Sequence, residues 1–357
     1  MKEEDQQPFS EVLNELFNQE QVPVHQVFRL SDMLPEEQER FLAAWPAVED
    51  ERRREIMGHL VDLAEENFSV DFLPVFKLGL TDTHAAVRIL ALDGIWDATD
   101  VRLIAPVLQM MQTDADLDVR AAAARALAHF VLLAEWGQIP SRPVEPVVAA
   151  LLAAYEDAET AVPIKRVALE ALGAASHPRV HALIEEAYEN DDPGMQLSAI
   201  FAMGNTADPR WLPTILAELD NHSPDVRAEA AQAAGAMGSS DAIPPLAELV
   251  YDEEEDVRAA AIIGLGQIGG DQAQALLSEL LEDDEFEEMH ELIQEALESL
   301  LLLGGELDLM DYMERGDDAY DDDEDDDYRF DEDDADEDDD YLVDLDEIDL
   351  DDEDFFA

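Results

Sequence analysis

The 357-residue sequence contains no cysteine, which excludes disulfides, thiolate metal sites and a cysteine nucleophile and fits a reducing compartment. Basic side chains are scarce: 20 Lys and Arg stand against 89 Asp and Glu, a net of −69 at pH 7. Nucleic acid and anionic lipid are recognised through a basic face, and the few basic residues here are scattered or recur singly. Neither direct nucleic-acid binding nor membrane binding is expected. No stretch approaches the run of about 18 apolar residues that spans a bilayer, and Met1 to Gln7 has no apolar core of a signal peptide, so a cytoplasmic location is expected. Phosphate-cradling glycine loops and nucleophile elbows are lacking too, since Gly264-Leu265-Gly266 follows a helical stretch and not a strand.

What the chain does have is a recurring phrase. Asp225-Val226-Arg227-Ala228-Glu229-Ala230-Ala231-Gln232-Ala233-Ala234-Gly235 returns as Asp256-Val257-Arg258-Ala259-Ala260-Ala261-Ile262-Ile263-Gly264-Leu265-Gly266, with the arginines 31 positions apart. The same template places Gln196 and Lys165 at anchor positions 31 apart, with Gly204 and Gly173 eight residues on. Arg120 and Arg88 anchor earlier copies, and His290 a degenerate later one. Within a copy, Val226, Ala230, Ala231 and Ala234 fall on one stripe of a 3.6-residue helix. Ser223-Pro224 and Asp192-Pro193 predict the helix start, by a side-chain cap followed by proline at N1. A second apolar-periodic stretch precedes each phrase: Arg102 to Met111, Val180 to Tyr188, Trp211 to Leu219, Ile243 to Val250 and Ala273 to Leu281. Each unit is thus a helical hairpin that cannot bury its apolar face alone, and stacked hairpins make an α-solenoid. The fold class expected is all-α.

These Asp-Val-Arg-x-x-Ala-x-x-x-Leu-Gly phrases resemble the HEAT-repeat family, in particular the short bacterial repeats of phycobilin lyase-like proteins. The resemblance covers roughly residues 71–303, departing from the pattern at Gln196 and His290, where Arg is usual, and at Trp96 and Ala128, where Gly is usual. It implies a superhelical scaffold and, as an alternative function, a lyase-like or chaperone role on a partner protein. One enzyme class on this architecture, deoxyhypusine hydroxylase, uses several His-Glu pairs to hold two irons. Here only His290-Glu291 forms such a pair, so no enzymatic activity and no cofactor are expected.

The domain organisation expected is an N-terminal helical cap over residues 1–70, the repeat solenoid over 71–310 and a disordered acidic tail over 311–357. Helices are expected in the cap from Phe9 to Phe17, Pro35 to Trp45 and Pro46 to Glu66. The basic run Arg52-Arg53-Arg54 reads as a solvated helix face paired with Glu49, Asp50, Glu51 and Glu55, although Arg53 also fits an anchor position. Between Arg120 and Lys165 the spacing grows to 45, an insertion that falls in the proline-rich stretch around Trp136. That stretch is either a binding loop or a longer hairpin whose Trp136 covers the helix end. From Asp317 onward there are 26 acidic residues and one basic residue, Arg329, leaving −44 for the preceding body. Such a composition cannot bury enough surface to offset ordering entropy.

The remaining chemistry is weak. His177, His181 and Glu185 stand at helical spacing, but His177 precedes Pro178 and falls in a turn, so no metal site is expected. Arg88, Arg120, Arg227 and Arg258 read as structural repeat anchors, with Asp118, Asp225 and Asp256 close by in sequence, and a ladder of Asp to Arg pairs between adjacent hairpins is expected. Positions five after the anchors, Asp93, Arg125, Glu170, Phe201, Gln232 and Ile263, lie away from the apolar stripe. Phe201 and Ile263 are candidates for contact with a partner helix or extended peptide, unless neighbouring helices cover them. Trp136 joins them, with Leu345, Ile348, Leu350, Phe355 and Phe356 of the tail, where large apolar groups alternate with acids. The function expected is a non-catalytic protein-protein interaction scaffold whose acidic tail captures a basic protein or peptide partner, or only confers solubility.

Overall fold

The computed structural model describes residues 7–31, 33–67 and 69–300, all within one unit, Met1–Leu307. The acidic tail expected from 311, with Leu345, Ile348, Leu350, Phe355 and Phe356, lies outside the described residues. Every regular element among the described residues is helical. Helices α1 (Phe9–Asn18) and α2 (Val24–Val27) precede a hairpin of α3 (Pro35–Ala44) and α4 (Asp50–Glu66). Then follow α5 (Leu73–Gly79) with α6 (Ala85–Asp93), α7 (Ile104–Thr113) with α8 (Leu117–Glu135) and α9 (Glu145–Glu156) with α10 (Val162–Leu172). Next come α11 (Val180–Tyr188) with α12 (Pro193–Asn205), α13 (Leu212–Glu218) with α14 (Pro224–Ala236) and α15 (Ile243–Leu249) with α16 (Glu255–Ile268). The last described pair is α17 (Gly270–Glu282) with α18 (residues 290–300).

The solenoid logic lies in the second helices. Helix α4 packs on α6, α6 on α8, and the succession continues through α10, α12 and α14 to α16, so each buries its stripe between two neighbours. Val87, Val119, Ile164, Met195 and Val257 are all buried just before their anchors. One continuous apolar core runs from Phe9 to Leu300.

Close stacking needs the repeat glycine. A Cβ at Gly204 would stand 2.7 Å from Cα of Ala233, and one at Gly235 2.6 Å from Cα of Gly264; both obstacles are helix backbone. At the first departure the glycine has moved. Helix α6 ends at Asp93, so Trp96 lies beyond it, and the ring of Phe76 occupies the space a Cβ of Gly94 would take. Gly204→Ala is expected to lower stability by about 1–3 kcal/mol, because no flexible side chain is there to yield. A lower urea midpoint at an unchanged m-value would show it, and an unchanged midpoint would refute it.

Helix starts follow the sequence in part. Asp192 caps α12 by accepting the N–H of Met195 at 3.0 Å, but Ser223 makes no side-chain cap on α14. Instead, Asn221 Oδ1 accepts the N–H of Ser223 at 2.9 Å. This turn recurs: Asp82, Asp114, Asn190 and Asp252 each accept the N–H two residues on. The insertion after Arg120 is divided between helix and loop. Helix α8 runs 19 residues where α14 runs 13, and the remainder crosses to α9. Trp136 does not cover the end of α8, since it is 64% exposed.

Candidate functional site

The anchor side chains bond within their own hairpins, and Arg88 and Arg227 also reach the next one. Arg88 Nη1 donates to the carbonyl of Asp82 at 2.8 Å, and its Nε and Nη2 form a fork on the Asp114 carboxylate at 2.9 and 2.8 Å. Arg227 repeats this arrangement on the Asn221 carbonyl and the Asp252 carboxylate, all at 2.8 Å. The Arg258 guanidinium donates to the carbonyls of Asp252 and Glu253, and Gln196 keeps the carbonyl bond, to Asn190, with its amide. Arg120 departs, donating to the carbonyl of Met111 at 2.9 Å. The carboxylates that bridge hairpins thus come from the turn of the following hairpin, and not from Asp118, Asp225 or Asp256. The signal for them was in the sequence, because Asp82, Asp114, Asn190, Asn221 and Asp252 all stand six residues before an anchor.

Arg53 belongs to the same series and corrects the reading of a solvated basic run. Arg54 pairs with Glu51 on the surface and the half-buried Arg52 with Glu55, but Arg53 is buried and meets Asp50 Oδ1 at 2.8 Å from within. Its Nε lies 2.8 Å from Oδ2 of Asp82, and its Nη2 donates to Oδ1 at 3.0 Å. Trp45 Nε1 donates to the same carboxylate at 2.9 Å.

With the anchors engaged in packing, the residues five positions later present a row on the stacked second helices. Asp93, Arg125, Gln232, Phe201 and Ile263 are exposed and Glu170 is half-buried. Phe201 and Ile263 keep 37% and 38% of their surface accessible, so adjacent helices do not bury them. Beside Phe201 a polar cluster crosses three helices. Arg166 Nε of α10 donates to Ser198 Oγ of α12 at 3.1 Å, and that hydroxyl donates to Glu170 Oε1 at 2.5 Å. Gly194 leaves room for it, since a Cβ there would come within 2.8 Å of the Arg166 guanidinium. From α14, Glu229 faces the same cluster with its Oε1 buried and without a hydrogen-bond partner. Burial, reinforced by the Glu170 carboxylate and opposed by Arg166, pushes the Glu229 carboxyl up to about 7. Sequence reading missed this cluster, although from Arg88 onward the column two after the anchors turns polar only at Ser198 and Glu229, between Val167 and Ala260.

The histidines do not converge. His177 lies in the turn before α11 and accepts the N–H of Arg179 on Nδ1 at 3.3 Å. His181 instead meets Asp208 through Nε2 at 2.9 Å and stacks on Trp211. Among the described residues, no group of three or more His, Asp or Glu side chains is placed to hold a metal ion. None of the described helices is long and apolar enough to cross a membrane.

The described helices thus form an all-helical solenoid whose second helices present a row of exposed side chains. Residues 212–298, from α13 into α18, match the family model of HEAT repeats. No curated protein matches the chain. Solved structures similar to it include YibA of Escherichia coli, at 15% identity over 79% of this chain and 98% of that one, with a TM-score of 0.37. Human deoxyhypusine hydroxylase in complex with glycerol is similar at 19% identity over 73% and 95%, TM-score 0.32. Importin beta in an ammonium sulfate condition is similar at 15% identity over 81% and 46%, TM-score 0.39.

Proposed function

We propose that the protein is a non-catalytic scaffold that holds a basic, amphipathic segment of a partner protein along the second-helix row. The observation that carries this reading is the exposure of Phe201 and Ile263 on helices stacked two layers apart. Two layers at about 8–10 Å each separate them by about 16–20 Å, the length of about three turns of a partner helix at 1.5 Å per residue. Gln232 stands between them, with small Ala228, Ala236 and Ala259 around it, which leaves room for a backbone to approach. Polarity of the partner follows from charge: a body at −44 attracts a cationic segment and repels an anionic one. The tail extends that reach, its acids raising the encounter rate and Leu345, Ile348, Leu350, Phe355 and Phe356 adding apolar contacts. Arg88, Arg120, Arg227 and Arg258 serve as structural anchors in this reading. A cytoplasmic location suits it, because neither membrane nor nucleic acid is needed.

The test is titration of an amphipathic helical peptide of leucine and lysine against three proteins: the full chain, a Phe201→Asp/Ile263→Asp variant and a chain truncated before Asp317. The row variant is expected to lose at least tenfold in affinity, and truncation to flatten the salt dependence. Equal affinity for the full chain and the row variant would overturn the row, whereas unchanged salt dependence after truncation would reduce the tail to a solubility device.

A further inference from the structure

The insertion that lengthens α8 does more than join two hairpins. The last turn of α8, the start of α9 and the turn after α10 enclose a cleft of about 540 Å³, within the size range of binding pockets. Its floor is aliphatic, supplied by Val131, Val144, Val148 and Leu152. At its mouth stand the carboxylates of Glu135 and Glu145 together with His177, and neither lysine nor arginine lines it. The mouth is held in place, because Glu135 Oε1 accepts the N–H of Ser176 at 2.9 Å and ties the end of α8 to the turn after α10. His177 Nδ1 accepts the Arg179 N–H, which leaves the proton on Nε2 and makes that nitrogen a donor.

We infer that this cleft is a second binding site, which takes an aliphatic side chain followed by a lysine or arginine in an extended peptide segment. Each group has a counterpart. The aliphatic side chain lies on the valine and leucine floor, the cation sits between Glu135 and Glu145, and a backbone carbonyl of the segment accepts from His177 Nε2. An anionic occupant is disfavoured, because it would bring like charge to two carboxylates with no basic group in the lining to offset it. That argument also opposes occupation by this chain's own stretch Tyr341 to Leu350, whose apolar residues alternate with acids. The site stands apart from the second-helix row, being built from the end of α8, the start of α9 and the turn after α10. Small residues keep it open, and Ala149, exposed at its edge, is where a larger side chain would close it.

The experiment uses a fluorescent hexapeptide bearing two Leu-Lys pairs, too short to span the row from Phe201 to Ile263 as a helix. It is titrated against the full chain and against Ala149→Trp, Glu145→Lys and Phe201→Asp/Ile263→Asp, with circular dichroism checking that each variant folds. Ala149→Trp and Glu145→Lys are each expected to weaken binding at least tenfold, while the row variant binds as the full chain does. Glu145→Lys changes an exposed side chain and keeps the test decisive where Ala149→Trp does not fold. Equal binding by the full chain and Glu145→Lys would overturn the site. So would loss of binding in the row variant alone, or tighter binding of a peptide copied from residues 341–350 than of the Leu-Lys peptide.

Discussion

Asp82→Ala is expected to cost about 3 kcal/mol, the low end for breaking a buried ion pair, since the buried Arg53 charge is left with only the exposed carboxylate of Asp50. The Arg53 and Asp82 side chains retain 5% and 3% of their exposed area, so water cannot take the place of the lost carboxylate. In the variant the Trp45 indole loses its acceptor, while the Arg53 guanidinium loses its buried carboxylate and keeps the Val48 carbonyl, Asp50 Oδ1 and Thr83 Oγ1. A solenoid spreads stability over neighbouring hairpins, so the loss is expected to be local. Amide exchange is expected to accelerate in α4, α5 and α6 while α14 and α16 keep their protection. The double variant Arg53→Met/Asp82→Leu is expected to be more stable than Asp82→Ala, because an apolar pair leaves no orphaned charge. A cost below about 1 kcal/mol, or a double variant less stable than the single one, would show that the pair acts as an exposed bridge does. The pH dependence has a definite sign. Burial alone would raise the Asp82 carboxyl, but hydrogen bonds from Arg53, the His84 N–H and Trp45 hold it below its ordinary 3.8. The pair's contribution is therefore complete above pH 3.8 and is lost as pH falls through the lower, folded value, so Asp82→Ala and the parent chain converge in strong acid.

Arg53 also shows how far the sequence can be read. The anchor template, the apolar stripes and the fixed period were visible from Arg88 onward, and they specify helical hairpins stacked through their second helices. Short patterns repeat and their local physics is decided within a dozen residues, so helices such as Val180–Tyr188 were predicted to the residue. Partners across hairpins were not legible in the same way. Arg53 uses the nearby Asp50 as Arg52 and Arg54 use Glu55 and Glu51, and only stacking reveals that its buried partner is 29 residues away. The exposure of Phe201 and Ile263 was equally undecidable, because a large apolar side chain five residues after an anchor suits a covered face as well as an open one. The cleft beneath the insertion needed both ends of a loop to be placed before it existed at all.

Glu229→Gln is expected to stabilise the protein progressively from pH 5 to pH 8. In the folded chain the Glu229 carboxyl titrates at about 7 against an ordinary 4.5. Between those values the folded state binds more protons than the unfolded one, so stability falls as pH rises and levels off above pH 7. A shift of this size corresponds to at most about 3 kcal/mol, at 1.36 kcal/mol per pH unit. The residual exposure of the side chain lowers the effect toward about 2 kcal/mol. Urea midpoints of parent and variant are expected to coincide near pH 5 and to separate by pH 8, and a constant separation across that range would mean that Glu229 titrates as an exposed glutamate does. The proposed function gives the same proton a second effect. Glu229 faces the Arg166 and Glu170 charges near Phe201, so its ionisation adds a negative charge at the edge of the row. Affinity for the leucine-lysine peptide is therefore expected to rise through pH 7 more steeply in the parent than in Glu229→Gln, so deprotonation that loosens the scaffold also tightens its hold on a basic partner. Parallel affinity profiles alongside diverging stability profiles would confine Glu229 to the scaffold and remove it from the binding surface.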